Sequence, residues 1–301
     1  MPIHEKGYRH YEGKRRGRLS RSLTIARCGI SLGLKKRGLI AMVLLGVVPA
    51  FVLAVLVYQA SKPEDFAKLA GRFIYSSDEW RGLVGDAPTV PAIWQVIFSS
   101  FLIWQLIPVA VIVTYVGPDL ISRDLRVRAL QLYYSRPLTR TDYLLGKLMV
   151  VGVFVAMVTF VPAVLIYVVG VILSKSIHIV ADTWPTLLGI FGACLLTTVV
   201  AGVIVLACSS LSRRSGYVAL VWAMLLVLSD AAYGLVRKTM GLGWSHLLSV
   251  RANVAQVISQ IFAVKPEYKF DWFASVFVLA AVVVLAVGLL YRRVQALEAE
   301  H

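Results

Sequence analysis

Six apolar runs, each long enough to cross a bilayer as an α-helix, leave this chain few possible folds. The hydrocarbon core of a bilayer is about 30 Å thick, and about 20 apolar helical residues cross it. Because no water is present there, backbone polar groups must be bonded within their own segment. The sequence therefore predicts an all-α integral membrane protein with six transmembrane helices, at residues 38–60, 92–116, 143–173, 186–211, 216–236 and 272–291.

Two details of these runs predict departures from simple straight spans. The run 143–173 is longer than a bilayer requires, so its first turns are expected to stand in the cytosol. Three prolines lie inside runs, and each predicts a local kink because proline lacks an N–H and clashes with the preceding turn. They are Pro49, Pro108 and Pro162.

The composition supports a membrane protein and argues against a nucleic-acid binder. Hydrophobic residues make up 58% of the chain and charged residues 16%, against about 45–50% and about 25% in soluble domains. The net charge is +15, but most Lys and Arg residues flank the apolar runs, where they set orientation. Cys28, Cys194 and Cys208 have no paired spacing, so neither a disulfide framework nor a metal site is predicted.

The distribution of positive charge predicts the orientation. With both termini in the cytoplasm, 21 Lys and Arg residues lie on the cytoplasmic side and 10 on the other side, as the positive-inside rule requires. We expect a multi-pass protein of the cell (inner or plasma) membrane without a cleavable signal peptide, because 37 largely polar residues precede the first run. The predicted organisation is a cytoplasmic N-terminal arm (1–37), a membrane domain (38–292) with outer segments 61–91 and 237–271, and a cytoplasmic tail (293–301).

A basic segment before the first run has an apolar stripe at helical spacing. Leu19, Leu23, Ala26, Ile30 and Leu34 recur every three or four residues. This pattern is typical of a helix that lies in the membrane interface. A disordered basic tail is the alternative interpretation.

A second stripe lies between the last two runs. It consists of Leu247, Val250, Val254, Ile258 and Ile261, again at helical spacing. The segment is too polar to span a membrane. We therefore expect a helix that lies on the outer surface or folds back against the bundle.

The segment between the second and third runs, 118–142, is unusually basic and well patterned. Residues 122–149 read SRDLRVRALQLYYSRPLTRTDYLLGKLM and carry six basic residues. The part from residue 120 predicts an amphipathic helix that stops before Pro137. Thr139 or Thr141 then caps a new helix, with Asp142 in its first turn. Leu130, Tyr133 and Tyr134 beside arginines suggest a docking surface; a loop that serves only orientation is the alternative.

The same stretch resembles the signature of the permease subunits of ABC-2 type ABC transporters. The matching residues are Ile121, Asp124, Leu130, Leu132, Ser135, Pro137, Leu138, Arg140, Gly146 and Lys147. The resemblance implies six spans, an interfacial elbow helix before the first span, a cytoplasmic coupling helix between spans two and three, and outer helices between spans five and six. It also implies a homodimer or a dimer with a related subunit, surrounded by membrane lipid, that works with two copies of a cytoplasmic ABC ATPase.

By this resemblance, residues 118–142 form the segment that docks onto the ATPase. The implied coupling residues are Asp124, Arg126, Arg128, Leu130, Tyr133, Arg136, Pro137 and Arg140. The chain departs from the family pattern at three places. Asp124 replaces the usual Glu, Arg128-Ala129 replaces Gly-Thr, and Tyr133-Tyr134 replaces two aliphatic residues. These differences suggest an ATPase with its own complementary surface.

Sequence signatures of catalysis are missing. The chain has no G-x-x-x-x-G-K-[ST] motif and no H-E-x-x-H motif. Its five histidines lie apart from one another, outside the apolar runs. We therefore expect a non-enzymatic subunit that binds no cofactor or metal, with ATP and Mg²⁺ used by the partner ATPase.

Asp230 is the one acidic residue well inside an apolar run. A carboxylate within a membrane is a candidate for contact with an ion or substrate. The interpretation we favour is that Asp230 lies about two turns from the end of its helix and pairs with Arg237.

The sequence thus predicts a transmembrane permease subunit of an ATP-driven ABC exporter, which couples ATP hydrolysis by another chain to substrate movement. Two alternatives stay open. One is a secondary transporter or channel, which should show intramembrane charges and broken helices. The other is a membrane scaffold that docks a cytoplasmic partner and transports nothing. No substrate is indicated.

Overall fold

The computed structural model describes residues 17–60, 89–127, 139–174, 178–265, 268 and 271–299, and within these ranges the chain is helical without any strand. The first helices are α1 (Arg18–Leu34), α2 (Arg37–Val47), α3 (Pro49–Ala60), α4 (Val90–Trp104), α5 (Leu106–Val116) and α6 (Pro118–Arg126). The others are α7 (Arg140–Val158), α8 (Phe160–Leu173), α9 (His178–Leu211), α10 (Ser215–Met240), a 3₁₀ helix (Ser245–Leu248), α11 (Val250–Ile261) and α12 (Trp272–Ala299).

Six helical stretches among the described residues are long and apolar enough to cross a membrane, which is the architecture of a multi-pass membrane protein. This confirms the six predicted spans. Spans 1 to 6 are Arg37–Gln59, Val90–Arg126, Arg140–Leu173, Ile179–Leu211, Ser215–Met240 and Trp272–Arg293. Successive spans run in opposite directions, so α1, α6 and the turn at 212–214 lie on one side of the bundle. We call this the α1 side.

Some spans extend beyond the predicted bounds. The fourth begins before residue 186, and the fifth continues past residue 236 to Met240. The prediction followed apolar residues, whereas a helix continues until its backbone is capped. For α10 the cap is Gly241 at φ 62°, whose N–H donates to the carbonyl of Arg237. A left-handed glycine is a common helix stop.

The predicted kinks are present as helix breaks just before the three prolines. The breaks lie at Val48 before Pro49, at Gln105 before Pro108, and at Thr159 before Pro162. Polar side chains satisfy backbone groups there. The Gln105 amide donates to the carbonyl of Gly46 (3.0 Å), and the Thr159 hydroxyl donates to the carbonyl of Val155 (2.8 Å). The Val155 carbonyl also accepts from the Thr159 N–H (3.0 Å), so its bond to the hydroxyl chiefly satisfies the Thr159 side chain inside the apolar bundle.

Helix α1 packs closely against α7 through its small residues. Ala26 is buried. A Cβ added to Gly29 would lie 2.6 Å from the side chain of Val150, and one added to Gly33 would lie 2.6 Å from that of Phe154. Small residues therefore set the distance between the two helices.

The apolar stripe predicted for α1 does not form a single buried face. Ala26 is buried, but Leu23 and Leu34 are exposed. The prediction located the helix correctly and assigned its stripe to the membrane interface, not to the bundle. The face that meets the bundle carries glycines, which allow closer packing than leucines and which a hydrophobicity pattern does not register as contact residues.

Helix α11 folds back against the bundle, which decides between the two positions expected for it. It packs on α4, α9, α10 and α12, and every residue from 252 to 259 is buried. Its polar residues are therefore inside the protein. The Asn253 amide donates to the carbonyls of Leu247 (3.0 Å) and Ser249 (2.8 Å), which ties the helix to its own N-terminal turn.

Helix α6 continues the second span on the α1 side and is fixed to α9. The Ser209 hydroxyl donates to the carbonyl of Pro118 (2.7 Å) and accepts from the backbone N–H groups of Ile121 (3.1 Å) and Ser122 (3.0 Å). Ser209 thus bonds the backbone groups left open where Pro118 starts the helix.

The sequence predicted a helix from residue 120 that stops before Pro137, and the structure describes only the first part of this region. It begins at Pro118 and ends at Arg126. Val127 already has non-helical angles and is exposed. Residues 128–138 lie outside the described residues.

Candidate functional site

The candidate site is a cluster of three side chains that joins α6 to α7 on the α1 side. The carboxylate Oδ2 of Asp124 accepts from Lys147 Nζ at 2.6 Å and from the Tyr143 hydroxyl at 2.8 Å. The Lys147 ammonium also lies 5.3 Å from the centre of the Tyr143 ring. We call Asp124, Tyr143 and Lys147 the Asp124 cluster.

The Asp124 cluster is nearly removed from solvent. The side chains of Lys147 and Asp124 are 10% and 14% exposed, and Tyr143 is fully buried. Opposite charges at this depth attract more strongly than on the surface. Loss of either partner leaves a charge without compensation. The cluster therefore holds the end of span 2 firmly to the start of span 3.

Helix α7 places Tyr143 and Lys147 on one face because they are four residues apart. Its start is fixed by a capping box. The Thr139 hydroxyl accepts from the Asp142 N–H (3.2 Å), and the Asp142 carboxylate accepts from the Thr139 N–H (3.3 Å). The structure confirms Thr139, one of the two predicted caps, and the position of Asp142 in the first turn.

Replacement of Thr139 by alanine is expected to lower the free energy of unfolding by about 1 kcal/mol, because one bond of the capping box is lost. Denaturation of the purified protein in detergent micelles measures the change. Thr239→Ala is the matched control, since the exposed Thr239 hydroxyl donates to the Leu235 carbonyl of its own helix and caps nothing, whereas the hydroxyl of Thr141 bonds that of Thr139. An equal loss in both variants would contradict the assignment of the cap.

Gly146 lets α1 approach the cluster. A Cβ at this position would lie 2.9 Å from the backbone carbonyl oxygen of Ser22 and 2.9 Å from the Cβ of Ile25. Neighbouring residues of the motif therefore have separate structural roles. Gly146 seats α1 on α7, and Lys147 binds Asp124.

Two further contacts fix the ends of α6 and α7. Lys36, at the start of span 1, donates to the Asp119 carboxylate at 2.6 Å. The guanidinium of Arg140 lies 5.5 Å from the centre of the Tyr291 ring, which links α7 to α12. The α1 side of the bundle is thus cross-linked by charged groups between several helices.

The implied coupling residues occupy three different environments. Asp124 lies inside the cluster, Arg126 is exposed, and Arg140 contacts Tyr291. The remaining five lie outside the described residues: Arg128, Leu130, Tyr133, Arg136 and Pro137. Their role in docking stays a prediction.

Sequence reasoning did not identify Tyr143 or Ser209 as site residues, and it counted Lys147 only as part of a motif. One signal was available for Lys147. A lysine just inside an apolar run needs an anionic partner, and Asp124 is an acid at the end of the preceding span. No comparable signal pointed to Ser209.

The sequence suggested that Asp230 pairs with Arg237, and this prediction is wrong. Asp230 accepts from Arg251 Nε at 2.9 Å and from the hydroxyl of Ser249. Arg237 instead donates to the Tyr233 hydroxyl at 2.5 Å. Seven residues along a helix span about 10 Å, so the two charges on α10 are far apart, whereas the start of α11 lies directly beside Asp230.

Asp230 also lies deeper than predicted. It is about 22 Å along α10 from Ser215 and about 15 Å from Met240, at 1.5 Å per residue. Its side chain and that of Arg251 are 37% and 38% exposed. The pair is therefore accessible from a cavity near the middle of the span.

That cavity has a volume of about 310 Å³ and lies between α5, α9, α10 and α11. Its wall is almost entirely apolar, with Asp230 and Arg251 among the few polar residues. Trp222 of α10 also lines it. Among the described residues, no group of three or more His, Cys, Asp or Glu side chains is arranged to hold a metal ion.

The turn that carries α11 back into the bundle contains a buried histidine. The His246 ring stacks on Tyr268 with the ring centres 4.9 Å apart, and its Nδ1 lies 3.1 Å from the carbonyl oxygen of Gly243. Burial lowers the pKa of His246 below its usual value because desolvation disfavours the charged form. A neutral imidazole therefore packs in this turn at pH 7.

Replacement of Ser249 by alanine is expected to destabilise the protein by about 2 kcal/mol, because a helix cap and a bond to a carboxylate are lost together. Ser249 accepts from the N–H of Ala252 (3.0 Å) and donates to Asp230. The midpoint of thermal unfolding in micelles reports the change. Ser229→Ala removes a hydroxyl that, within the described part of the chain, bonds only the Leu226 carbonyl, and it is expected to change the midpoint little.

Comparison with known proteins gave no match, either to a protein-family model or to a curated protein. The resemblance to ABC-2 permeases therefore stays a prediction that depends on the motif around Asp124. The geometry shows what several motif residues do in this chain. Asp124 and Lys147 bind each other, and Gly146 admits α1.

Proposed function

We propose that this chain is the membrane-spanning permease subunit of an ATP-driven exporter of the ABC-2 type. Two copies, or one copy and a related subunit, work with two copies of a cytoplasmic ATPase that binds ATP and Mg²⁺. The α1 side faces the cytoplasm in the cell membrane. The chain itself performs no catalysis.

The observation that carries this proposal is the Asp124 cluster. The proposed docking segment, residues 118–142, includes α6 and the start of α7. The cluster clamps these helices together at the base of that segment. A displacement of the segment therefore moves the start of span 3, which continues as far as Leu173. Coupling between distant sites needs a stiff element of this kind.

Two other features support the proposal. Helix α1 precedes span 1 and exposes Leu23 and Leu34, as an interfacial elbow helix would. Helix α11 lies between spans 5 and 6, where permeases of this type have outer helices. Most Lys and Arg residues outside the spans lie on the α1 side, which favours a cytoplasmic location for it.

The test is ATP hydrolysis by the complex that co-purifies with the tagged chain from its native cells. Arg126→Glu is expected to lower the co-purified activity about tenfold or more, since a charge reversed at an interface weakens the complex. Lys238→Glu is the matched control, because Lys238 is an exposed cation at the other end of the bundle. Absence of an ATPase, or equal activity in both variants, would contradict the proposal. A partner without ATP hydrolysis would instead indicate a scaffold.

One observation favours a second candidate, a secondary transporter or channel. The Asp230–Arg251 pair lies near mid-depth beside a helix that folds back into the bundle, and such charges mark ion pathways in other membrane proteins. This candidate predicts ion flux into liposomes that contain the chain alone. Asp230→Asn should abolish that flux, whereas an exporter subunit without its ATPase should show none.

A further inference from the structure

The outward face of α1 carries a stripe of polar side chains bordered by leucines. Arg27, Ser31 and Lys35 follow one another at intervals of four residues, so they lie on one face of the helix, and all three are exposed. Leu32 and Leu34 are exposed on either side of this stripe. The contact with α7 uses the opposite, glycine-lined face. The stripe therefore points away from the bundle.

The stripe is positively charged, and the protein around it does not neutralise that charge. Residues 18–37 contain six Lys and Arg residues and neither Asp nor Glu. Lys36 is used by an ion pair within the bundle. In the part of the chain that the structure describes, Arg27, Lys35 and Arg37 are exposed and form no ion pair. Three cations are thus left for an anionic partner.

The end of α1 lies at the depth of lipid headgroups. Helix α1 ends at Leu34, and span 1 begins at Arg37. Basic residues at the border of an apolar span lie at the membrane surface, with their charged ends among the headgroups. At this depth phosphate groups and the upper parts of acyl chains adjoin. Basic helices that also expose leucines bind anionic lipids there.

A second copy of the chain fits this face poorly. Most homodimers have two-fold symmetry, which brings the same patch of both subunits together. Such a contact would place two stripes of equal charge against each other, which is unfavourable. An anionic lipid surface, in contrast, complements both the cations of the stripe and the leucines beside it.

We propose that the outward face of α1 binds anionic phospholipids of the adjacent leaflet. Arg27, Lys35 and Arg37 contact the phosphate groups, and the exposed leucines contact the acyl chains. This binding is independent of whether the chain couples to an ATPase.

Cys28 allows a probe to be placed beside the stripe. It is exposed, whereas Cys194 and Cys208 are buried, so a maleimide dye can be directed to it. In phosphatidylcholine nanodiscs, phosphatidylglycerol and phosphatidylcholine with a doxyl group near the top of one acyl chain are compared as quenchers at equal mole fraction. The local concentration of the anionic quencher is expected to be about fivefold higher, the effect of one basic residue at an anionic surface. Salt at about 1 M should reduce this preference, because it shortens the Debye length to about 3 Å.

Two variants test whether the stripe causes the preference. The double variant Arg27→Gln, Lys35→Gln should reduce the preference to about twofold or less. Lys238→Gln removes an exposed cation at the other end of the bundle and should leave the preference unchanged. Unchanged quenching by the phosphatidylcholine probe shows that α1 keeps its place in each variant. Equal quenching by both lipids in the unmodified protein, or a preference that survives in the double variant, would overturn the proposal.

Two controls separate lipid from other occupants of this face. Inorganic phosphate at millimolar concentration should leave the lipid preference unchanged, and loss of the preference would indicate a site for free anions. Mild oxidation should give no disulfide between Cys28 residues of two copies, and such a disulfide would place a second copy on this face. Either contrary result would overturn the proposal.

Discussion

Replacement of Lys147 by methionine is expected to lower the free energy of unfolding by about 3 kcal/mol. Among the described residues, the Asp124 carboxylate would keep only the Tyr143 hydroxyl as a partner, in a site where both charged side chains are at most 14% exposed. An uncompensated charge at such depth costs several kcal/mol. Unfolding in mixed micelles, followed by tryptophan fluorescence, measures the change.

Two comparisons make this prediction specific to the buried pair. The double variant Asp124→Asn, Lys147→Met should recover most of the lost stability, because no charge is left unpaired. Lys36→Met breaks an ion pair of the same length, 2.6 Å, whose side chains are 36% and 33% exposed. It should cost no more than about 1 kcal/mol. Equal losses for Lys147→Met and Lys36→Met would contradict the importance of burial at the Asp124 cluster.

Replacement of Gly146 by leucine is expected to separate α1 from α7 and to destabilise the protein by about 3 kcal/mol. Its Cβ would lie 2.9 Å from the backbone carbonyl oxygen of Ser22, and a backbone atom cannot move without shifting the helix. Overpacking of this kind costs about 1–3 kcal/mol or more. The loss can be measured by the same unfolding experiment, and faster proteolysis of α1 should accompany it.

The control for this variant is Gly234→Leu. Gly234 also lies in a helix, but an added Cβ there would meet nothing within 4 Å. Because leucine is the better helix former, this variant should be as stable as the unmodified protein or slightly more so. A loss in both variants would show that the effect does not come from the contact between α1 and α7.

The six spans could be predicted because their signal is local. A long apolar run specifies a membrane helix, and Thr139 with Asp142 specifies a helix start within four residues. Pairings between helices could not be predicted in this way. Asp230 was assigned to Arg237 on its own helix, whereas its partner Arg251 is reached only through the turn that carries α11 back.

The contact between α1 and α7 shows a second limit. Hydrophobicity patterns identify the faces of helices by their large residues. The contact in this chain is made where side chains are smallest, at Gly29, Gly33 and Gly146. A search for small residues at helical spacing would have found this face of α1.

The burial of α11 also has a consequence for synthesis of the protein. Asn253, Gln256 and Ser259 lie inside the bundle, yet the segment is too polar to partition into lipid when it first emerges from the ribosome. It can settle only where α4, α9, α10 and α12 already offer it a protein environment. Because α12 follows it in the chain, α11 must reach its place after the last span has been inserted. Full burial of this polar helix thus depends on the complete set of spans.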